Sequence, residues 1–361
     1  MSRALLVLLS FLLVATVRAD VDLANISLPP GFSIEIHAEV PNARSLALGN
    51  NGVVFVSNRR ADSIYAIDPG SGGNNRVFEI DDDLRMPNGI AYYQGDLYVA
   101  ENSRVIVYRG IDNKLNNPPE PEVLNIDLPS RSHHGWRYLG FGPDDHLYIS
   151  IGVPCNVCDR PGFGRIDRMR PDGSEREIWA KGIRNSVGFT WHTDTGELWF
   201  TDNGRDMLGD DLPPDELNHA PTKGLHFGFP YCHGGEILDA RFGVGKNCDD
   251  YVGPAKKLGA HVASLGIKFY TGAMFPEEYQ GRILIAEHGS WNRSKKAGYR
   301  ISMLRLKDGQ PVSYEVFAEG WLQGQRAAGR PVDLLVISDG SLLVSDDASG
   351  VVYRISYEEP Q

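Results

Sequence analysis

Residues 181–218, KGIRNSVGFTWHTDTGELWFTDNGRDMLGDDLPPDELN, combine an Arg-Asn pair, two strand-like apolar runs joined by a turn, and a loop rich in Asp and Gly. The second apolar run belongs to Gly196-Glu-Leu-Trp-Phe-Thr-Asp202, in which a glycine is followed by apolar and aromatic residues, then a small residue and a polar one. The same pattern recurs along the chain. Repetition of this kind is the sequence signature of propeller and solenoid folds.

The repeated pattern occurs in five further places. These are Gly52-Val-Val-Phe-Val-Ser-Asn58, Gly95-Asp-Leu-Tyr-Val-Ala-Glu101, Asp145-His-Leu-Tyr-Ile-Ser-Ile151, Gly281-Arg-Ile-Leu-Ile-Ala-Glu287 and Gly340-Ser-Leu-Leu-Val-Ser-Asp346. The first four copies follow one another at intervals of roughly 40–50 residues, which is the length of one four-stranded propeller blade. The later intervals are longer, and they predict insertions around residues 205–260 and 286–330.

Each copy of the pattern stands inside a run of short strand signals. A shorter apolar run and a Gly-, Pro- or Asp-rich turn precede it, as in residues 138–145, and a third run such as Ser63-Ile-Tyr-Ala-Ile-Asp68 often follows. No long helical period competes with these signals. The alternative fold is a β-sandwich whose repetition is accidental. The regular spacing favours an all-β, six-bladed β-propeller made of four-stranded antiparallel blades.

The N-terminal segment differs in composition from the rest of the chain. Residues 1–19, MSRALLVLLSFLLVATVRA, carry an early Arg, an apolar run of about a dozen residues and a small-residue end, as secretory signals do. The run is too short for a membrane span. No linker-like stretch divides residues 20–361, so we expect a signal peptide followed by a single propeller domain, exported to the periplasm or secreted.

Charge and cysteine usage narrow the range of partners. The formal net charge is −11 without a basic cluster, which disfavours nucleic acid and anionic membranes as partners. The four cysteines form two local pairs, and in an exported protein such pairs are expected to be disulfides. We expect Cys232 to pair with Cys248, and we leave the state of Cys155 and Cys158 open.

Polar side chains precede equivalent strands in five of the predicted blades. Loops at one end of a propeller converge on its central channel, so residues just before equivalent strands are expected to meet. They are Asn88, His133-His134, Arg184-Asn185, His261 and Arg330. The sequence therefore predicts a shared pocket with an anionic ligand.

Two features of this predicted pocket suggest chemistry, and each has a plainer alternative. His134 or its neighbour could act as a general base, although an isolated His is more often a hydrogen-bonded structural residue. The loop that follows Asp202 is rich in carboxylates and carbonyls, the ligands that calcium prefers. The same composition also suits a solvated acidic turn.

These segments resemble the soluble quinoprotein glucose/sorbosone dehydrogenase family. The resemblance rests on Gly182-Ile-Arg-Asn-Ser-Val-Gly188 and on the Asn203-Gly204 turn that leads to Asp215-Glu-Leu-Asn218. His134, Gly142-Pro-Asp144 and Gly329-Arg-Pro-Val-Asp333 support it, and the similarity runs from about residue 28 to residue 357. It implies a six-bladed propeller that uses pyrroloquinoline quinone (PQQ) and Ca²⁺.

The resemblance implies a role for each matching residue. His134 would be the catalytic base, and Arg184 would stabilise charge on the cofactor as a second catalytic residue. Backbone carbonyls of Gly204 and Arg205 would bind calcium. The cofactor-binding residues would be His133, Arg184, Asn185, His261, Arg293 and Arg330.

This chain departs from the family pattern at three positions. Val332 stands where family members have a second Arg, and His261 replaces a Thr. Arg293 is a substitute for a Lys that has no obvious counterpart here.

The expected activity is oxidation of an aldose or a related sugar by PQQ, with electrons passed on to a quinone or cytochrome. One alternative is a lactonase-type hydrolase whose central ion is held by Asn88, Asn185 and either Asp202 or Asp346. Another is a propeller without catalytic activity that binds glycans or a partner protein.

Overall fold

The computed structural model describes residues 22–59, 61–70 and 74–360, and these residues form a six-bladed β-propeller. The predicted fold class is therefore confirmed. The predicted signal peptide, residues 1–19, lies outside the described residues. In the described ranges, no helix is long and apolar enough to cross a membrane.

Each blade is an antiparallel sheet whose first strand lies next to the central channel. Blade 1 comprises Leu46–Leu48, Val54–Val56, Ile64–Asp68 and Arg76–Asp81; blade 2 comprises Gly89–Tyr93, Asp96–Ala100, Val105–Tyr108 and Glu122–Val123; blade 3 comprises Leu139–Phe141, Leu147–Ile151, Arg165–Met169 and Glu177–Lys181. Blade 4 comprises Phe189–Trp191, Leu198–Asp202, Pro214–Ala220 and Lys256–Ala260; blade 5 comprises Ser264–Phe269, Ile283–Glu287, Arg300–Leu304 and Glu315–Glu319. Every copy of the sequence pattern supplies the second strand of its blade.

Blade 6 is built from both ends of the described chain. Its strands from the inside outwards are Pro331–Val336, Leu342–Asp346, Val351–Tyr357 and Phe32–Glu39. The outer strand pairs antiparallel with Val351–Tyr357 from Phe32 opposite Tyr357 to Glu39 opposite Val351, with a register shift between Ile36 and Ala38. This pairing closes the ring of blades.

The remaining elements are small and lie on the loops between these strands. Leu225–His226 pairs in parallel with the outer strand of blade 3, and three hairpins are formed by Cys232–His233 with Ile237–Leu238, Leu306–Lys307 with Gln310–Pro311, and Leu322–Gln323 with Arg326–Ala327. The short 3₁₀ helices are Leu23–Asn25, Asn50–Gly52, Cys248–Asp250 and Glu277–Tyr279.

Both cysteine pairs are disulfides. Cys232 is bonded to Cys248, as predicted, and this bond closes part of the long connection between the third and fourth strands of blade 4. Cys155 is bonded to Cys158 in the loop that follows the second strand of blade 3, which answers the question that the sequence left open.

The hydrophobic core lies between the faces of neighbouring blades. Trp199 and Leu217 of blade 4, for example, pack with Ile267 and Ile285 of blade 5, and each of these side chains is almost fully buried. Comparable clusters join every other pair of neighbours. Since each sheet is covered on both faces, the strands read as nearly continuous apolar runs.

Inner strands approach one another so closely that a side chain would not fit at some positions. A Cβ atom added to Gly188 in the loop before blade 4 would lie 2.0 Å from the carbonyl oxygen of Leu265 in blade 5. A Cβ atom on Gly266 would lie 2.6 Å from the Cα atom of Asp333 in blade 6. Glycine is therefore required where these blades meet.

The small residue of the repeated pattern links consecutive blades. The Ser57 hydroxyl donates to the carbonyl of Asn88 before blade 2 at 2.5 Å, and the Thr201 hydroxyl donates to the carbonyl of Leu265 in blade 5 at 2.6 Å. Ser345 of blade 6 donates in the same way to the carbonyl of Arg44 before blade 1. These buried carbonyls would otherwise lack a partner for one lone pair.

Replacing one of these hydroxyls should therefore destabilise the propeller. We expect Ser57→Ala to lower the free energy of unfolding by about 1–3 kcal/mol, because it removes a buried hydrogen bond and leaves polar groups unpaired. Chemical denaturation monitored by tryptophan fluorescence measures the change. Ser302→Ala is the matched control, since Ser302 is equally buried and its hydroxyl has no hydrogen-bond partner among the described residues. An equal loss in both variants would contradict the linking role.

Candidate functional site

A cavity of about 450 Å³ lies where the loops of several blades converge on the central channel. We call the loop before the first strand of a blade its leading loop. The cavity wall is formed mainly by leading loops and by the loops that follow the second strands. It brings together the predicted residues His133, His134, Arg184, Asn185, Gly204, His261 and Arg330.

His134 lies in the leading loop of blade 3 and has a fixed ring orientation. Its Nδ1 atom is 2.8 Å from the carbonyl oxygen of Val153, so Nδ1–H donates and Nε2 keeps a free lone pair. Burial, together with Arg184 and then His133, holds the pKa of His134 well below the ordinary value of 6.5. The residue also has a positive φ of 48°, an uncommon conformation that often marks functional positions. His134 is thus a neutral, oriented base.

Arg184 lies in the leading loop of blade 4 and is held by several acceptors. Its Nε donates to the carbonyl of Asn156 at 2.9 Å, and its Nη1 donates to the carbonyl of Asn203 at 3.2 Å. Its Nη2 donates to Asn156 Oδ1 at 2.9 Å and to Asp206 Oδ2 at 3.0 Å. The guanidinium is therefore a fixed positive charge on the cavity wall.

Asp202, at the end of the second strand of blade 4, organises this leading loop. Its carboxylate accepts the backbone N–H groups of Arg184 at 2.8 Å and Asn185 at 2.6 Å. The Asn185 side chain lies on the cavity wall, and its Oδ1 atom is buried without a hydrogen-bond partner among the described residues. A buried polar atom of this kind is costly unless a ligand satisfies it.

A second group of basic side chains lies on the opposite part of the wall, around Asp347. Arg44 Nη1 is 2.9 Å and Arg59 Nη1 is 3.3 Å from Asp347 Oδ2, and His288 Nε2 is 2.8 Å from Oδ1. Burial acts to raise the pKa of Asp347, but His288, Arg44 and Arg59 outweigh it and hold that pKa far below its ordinary range. Arg330 joins the group by donating to the carbonyls of His288 and Gly289.

Sequence reasoning missed Arg44, Arg59 and His288 as cavity residues, although a usable signal was present. Arg44 precedes the first strand of blade 1 just as Arg330 precedes that of blade 6. His288 follows the repeated pattern of blade 5 directly. Applying the blade equivalence to blade 1 as well would have identified Arg44.

Val332, where a second arginine was expected from the resemblance, lies in the first strand of blade 6. It packs against Val187 and Leu265, and all three are buried. Val187 and Leu265 also line the cavity. The cavity wall is therefore apolar at this point. The two further arginines of the cavity are Arg44, in the leading loop of blade 1, and Arg59, in the loop that follows the second strand of blade 1.

Two of the predicted site residues, Arg293 and the calcium candidate Arg205, are not among the residues that line the cavity. Arg293 donates to the carbonyl of Asp210 and forms an ion pair with Asp211 at 2.9 Å, and it lines a separate surface depression. The Arg205 side chain pairs with Asp239 at 2.6 Å. His261 does line the cavity, where its Nε2 is 2.8 Å from the carbonyl oxygen of Gly209.

The calcium expectation concerns the loop at Gly204, which lies next to buried carboxylates. The backbone N–H of Gly204 donates to Asp215 Oδ1 at 2.8 Å, and burial raises the pKa of Asp215 to about 7. Burial also raises the pKa values of Asp202 and Glu216. In the described part of the chain, no group of three or more His, Cys, Asp or Glu side chains is arranged to hold a metal ion. The expectation thus rests on backbone carbonyls.

Apart from Asn185, the side chains that the lactonase-type alternative requires are engaged elsewhere. Asn88 accepts from Arg44 Nε at 2.9 Å and donates to the carbonyl of Arg137 at 3.0 Å. Asp346 accepts from Ser349 and Tyr353. Asn88, Asp202 and Asp346 do not line this cavity.

Comparison with known proteins identifies the family to which this six-bladed propeller belongs. Residues 101–354 match the glucose/sorbosone dehydrogenase family, and the chain belongs to that family. An uncharacterized protein of Borreliella burgdorferi is 32% identical over 95% of this chain and 94% of its own length.

Solved structures with the same fold include three enzymes of low sequence identity. The holo PQQ domain of pyranose dehydrogenase from Coprinopsis cinerea is 17% identical, with a TM-score of 0.79 over 92% of this chain and 97% of that one. A calcium structure of a Trichoderma reesei carbohydrate-active enzyme of family AA12 is 19% identical, with a TM-score of 0.81 and the same coverage. The apo soluble aldose sugar dehydrogenase of Escherichia coli is 17% identical, with a TM-score of 0.66 over 91% and 100% of the two chains.

The charge of Arg184 should be measurable at His134. We expect Arg184→Met to raise the pKa of the His134 ring towards 6.5, because a nearby positive charge is removed while burial remains. Histidine-labelled NMR titration of the protein without ligands measures it, with His134→Gln used to assign the signal. Arg168→Met, which alters an arginine on the outer part of blade 3, should leave the pKa of His134 unchanged. A pKa that stays constant in both variants would be inconsistent with this electrostatic coupling.

Proposed function

We propose that this chain is an exported, PQQ- and calcium-dependent dehydrogenase that oxidises an aldose or a related sugar, with His134 as the general base. The observation that carries the proposal is the neutral, oriented imidazole of His134 in the same cavity as four arginines. Membership of the glucose/sorbosone dehydrogenase family supports it, as does the likeness in fold to sugar dehydrogenases that bind PQQ.

The cavity wall has the charge that an anionic cofactor requires. PQQ carries three carboxylates, and Arg44, Arg59, Arg184 and Arg330 line the cavity. Arginine suits carboxylates because its planar guanidinium can form two parallel hydrogen bonds. The free Oδ1 of Asn185 offers a further polar contact. Calcium would bind at the carbonyls of Gly204 and Arg205.

Within this proposal, His134 does the proton chemistry. Nε2 accepts the proton of the sugar hydroxyl, and the Val153 carbonyl stabilises the imidazolium through Nδ1–H. Arg184 stabilises negative charge that develops in the cavity, and its four hydrogen bonds hold it in place before the reaction. When bound, the quinone supplies a two-electron hydride acceptor.

Export is proposed on two grounds. The segment at residues 1–19 has the composition of a secretory signal, and both cysteine pairs are disulfides, which persist in oxidising compartments. A periplasmic or secreted enzyme would pass its electrons to a quinone or a cytochrome.

Removal of the base should abolish most of the activity. We expect His134→Gln to lower kcat for aldose oxidation by roughly 10²–10⁴-fold, since general base catalysis contributes about this factor. The assay is dye reduction by the purified protein with added PQQ and Ca²⁺. His146→Gln, in the turn between the first and second strands of the same blade, is the control. Wild-type protein that takes up no PQQ and oxidises no sugar under these conditions would rule out the redox function, and lactone hydrolysis with divalent ions would be assayed next.

The arginines should determine affinity for the anionic cofactor. We expect Arg330→Met to weaken PQQ binding about tenfold or more, because it removes one charge-assisted contact, worth roughly 1.5–3 kcal/mol. Quenching of tryptophan fluorescence on titration with PQQ gives the dissociation constant independently of activity. Arg109→Met, which alters an arginine paired with Asp96 and Glu122 on blade 2, serves as the control. Equal affinities for the two variants would remove Arg330 from the binding site.

A further inference from the structure

The loop at residues 152–164 joins the second and third strands of blade 3, and its first part hydrogen-bonds to residues that line the cavity. It contains the Cys155–Cys158 disulfide, which closes a ring around Asn156 and Val157. This disulfide is next to residues that hold the candidate catalytic groups. The loop therefore contacts the candidate site in addition to joining two strands.

Asn156 forms a brace between two loops of blade 4. Its Oδ1 accepts from Arg184 Nη2 and from the backbone N–H of Asp206, both at 2.9 Å. Its Nδ2 donates to the carbonyl of Asp206 at 3.0 Å, and its own carbonyl accepts from Arg184 Nε at 2.9 Å. Two of the four hydrogen bonds of the Arg184 guanidinium thus end on Asn156.

The same loop also orients the two histidines. The Val153 carbonyl accepts the Nδ1–H of His134 at 2.8 Å, and the Val153 N–H donates to the carbonyl of Arg184 at 2.9 Å. The backbone of Cys155 also interacts with His133 and acts to raise the pKa of that ring. Residues 153–156 therefore contact both candidate catalytic side chains.

A disulfide suits this task because it restricts the backbone conformations of the residues that it encloses. In a short polar loop without such a bond, fixing Asn156 in one position would cost more conformational entropy. Cys155 and Cys158 are half-buried and line a surface depression of their own, with Arg131 and Arg160, whereas Cys232 of the other disulfide is buried.

We propose that Asn156, held between the cysteines of the Cys155–Cys158 disulfide, is a positioning residue that sets the guanidinium of Arg184 and, through Val153, the ring of His134. This inference rests on the proposed function, since it assigns a task in the same site. Loss of the brace would leave the cavity residues present but free to move, and misplacement of catalytic groups by about 1 Å can cost roughly 10²-fold in rate.

The test uses two variants, Asn156→Ala and Cys155→Ser/Cys158→Ser. The first readout is the pKa of the His134 ring, measured by NMR without cofactor or substrate. It should rise towards 6.5 in both variants, because Arg184 is no longer held beside the ring. The second readout is dye-linked sugar oxidation, in which kcat should fall about 10- to 100-fold while KM changes less.

The control is Cys232→Ser/Cys248→Ser, which removes the other disulfide. It should lose stability but keep the wild-type pKa of His134. If the Asn156→Ala protein is folded and its His134 pKa is that of the wild type, or if the control shifts the pKa equally, the positioning role is wrong. The pKa is read on the protein alone, so a failure of the proposed sugar oxidation would be seen separately, as absent wild-type activity.

Should neither variant fold, the wild type is titrated before and after mild reduction. Alkylation and mass spectrometry identify which disulfide has opened. A rise in the His134 pKa on opening of Cys155–Cys158, reversed by reoxidation, supports the proposal. A pKa that is unchanged by opening of that bond overturns it.

Discussion

The propeller depends on the pairing of Phe32–Glu39 with Val351–Tyr357, which closes the ring with strands from opposite ends of the described chain. Each blade packs its two faces against its neighbours, so an open ring would leave two blade faces exposed to water. Closure also determines how far apart the leading loops lie around the channel. The cavity of blades 1, 3, 4, 5 and 6 exists only because this pairing brings blade 6 next to blade 1.

The end of the second strand connects this architecture with the candidate site. The hydroxyls of Ser57, Thr201 and Ser345 join one blade to the next, and the residue that follows each of the latter two is a buried carboxylate. Asp202 accepts the backbone N–H of Arg184, and the backbone of Arg330 acts to lower the pKa of Asp346. The same structural position thus lies beside the backbone of a cavity arginine in two blades.

Electrostatics determine what the cavity can bind. The chain as a whole is acidic, yet the cavity wall carries four arginines and four histidines. Asp347 holds Arg44 and Arg59 in place, while Asp206 holds Arg184. Burial above all, and then the positive charge of Arg184, keeps the nearby imidazole of His134 neutral. An arginine that can attract an anion therefore also helps to preserve the base.

The sequence alone determined the six blades, because strand periodicity and the repeated pattern are local and each copy forms the same strand. It also located Arg184, Asn185, His134, His261 and Arg330, since equivalent positions of a propeller meet at the channel. Only the tertiary structure identified Arg44, Arg59 and His288 on the cavity wall and placed Arg293 elsewhere. Those outcomes depend on side-chain direction and on ion pairs such as Asp347 with Arg44, between residues about 300 positions apart, which no local pattern records. The brace at Asn156 also became visible only when blade 3 and blade 4 were placed side by side.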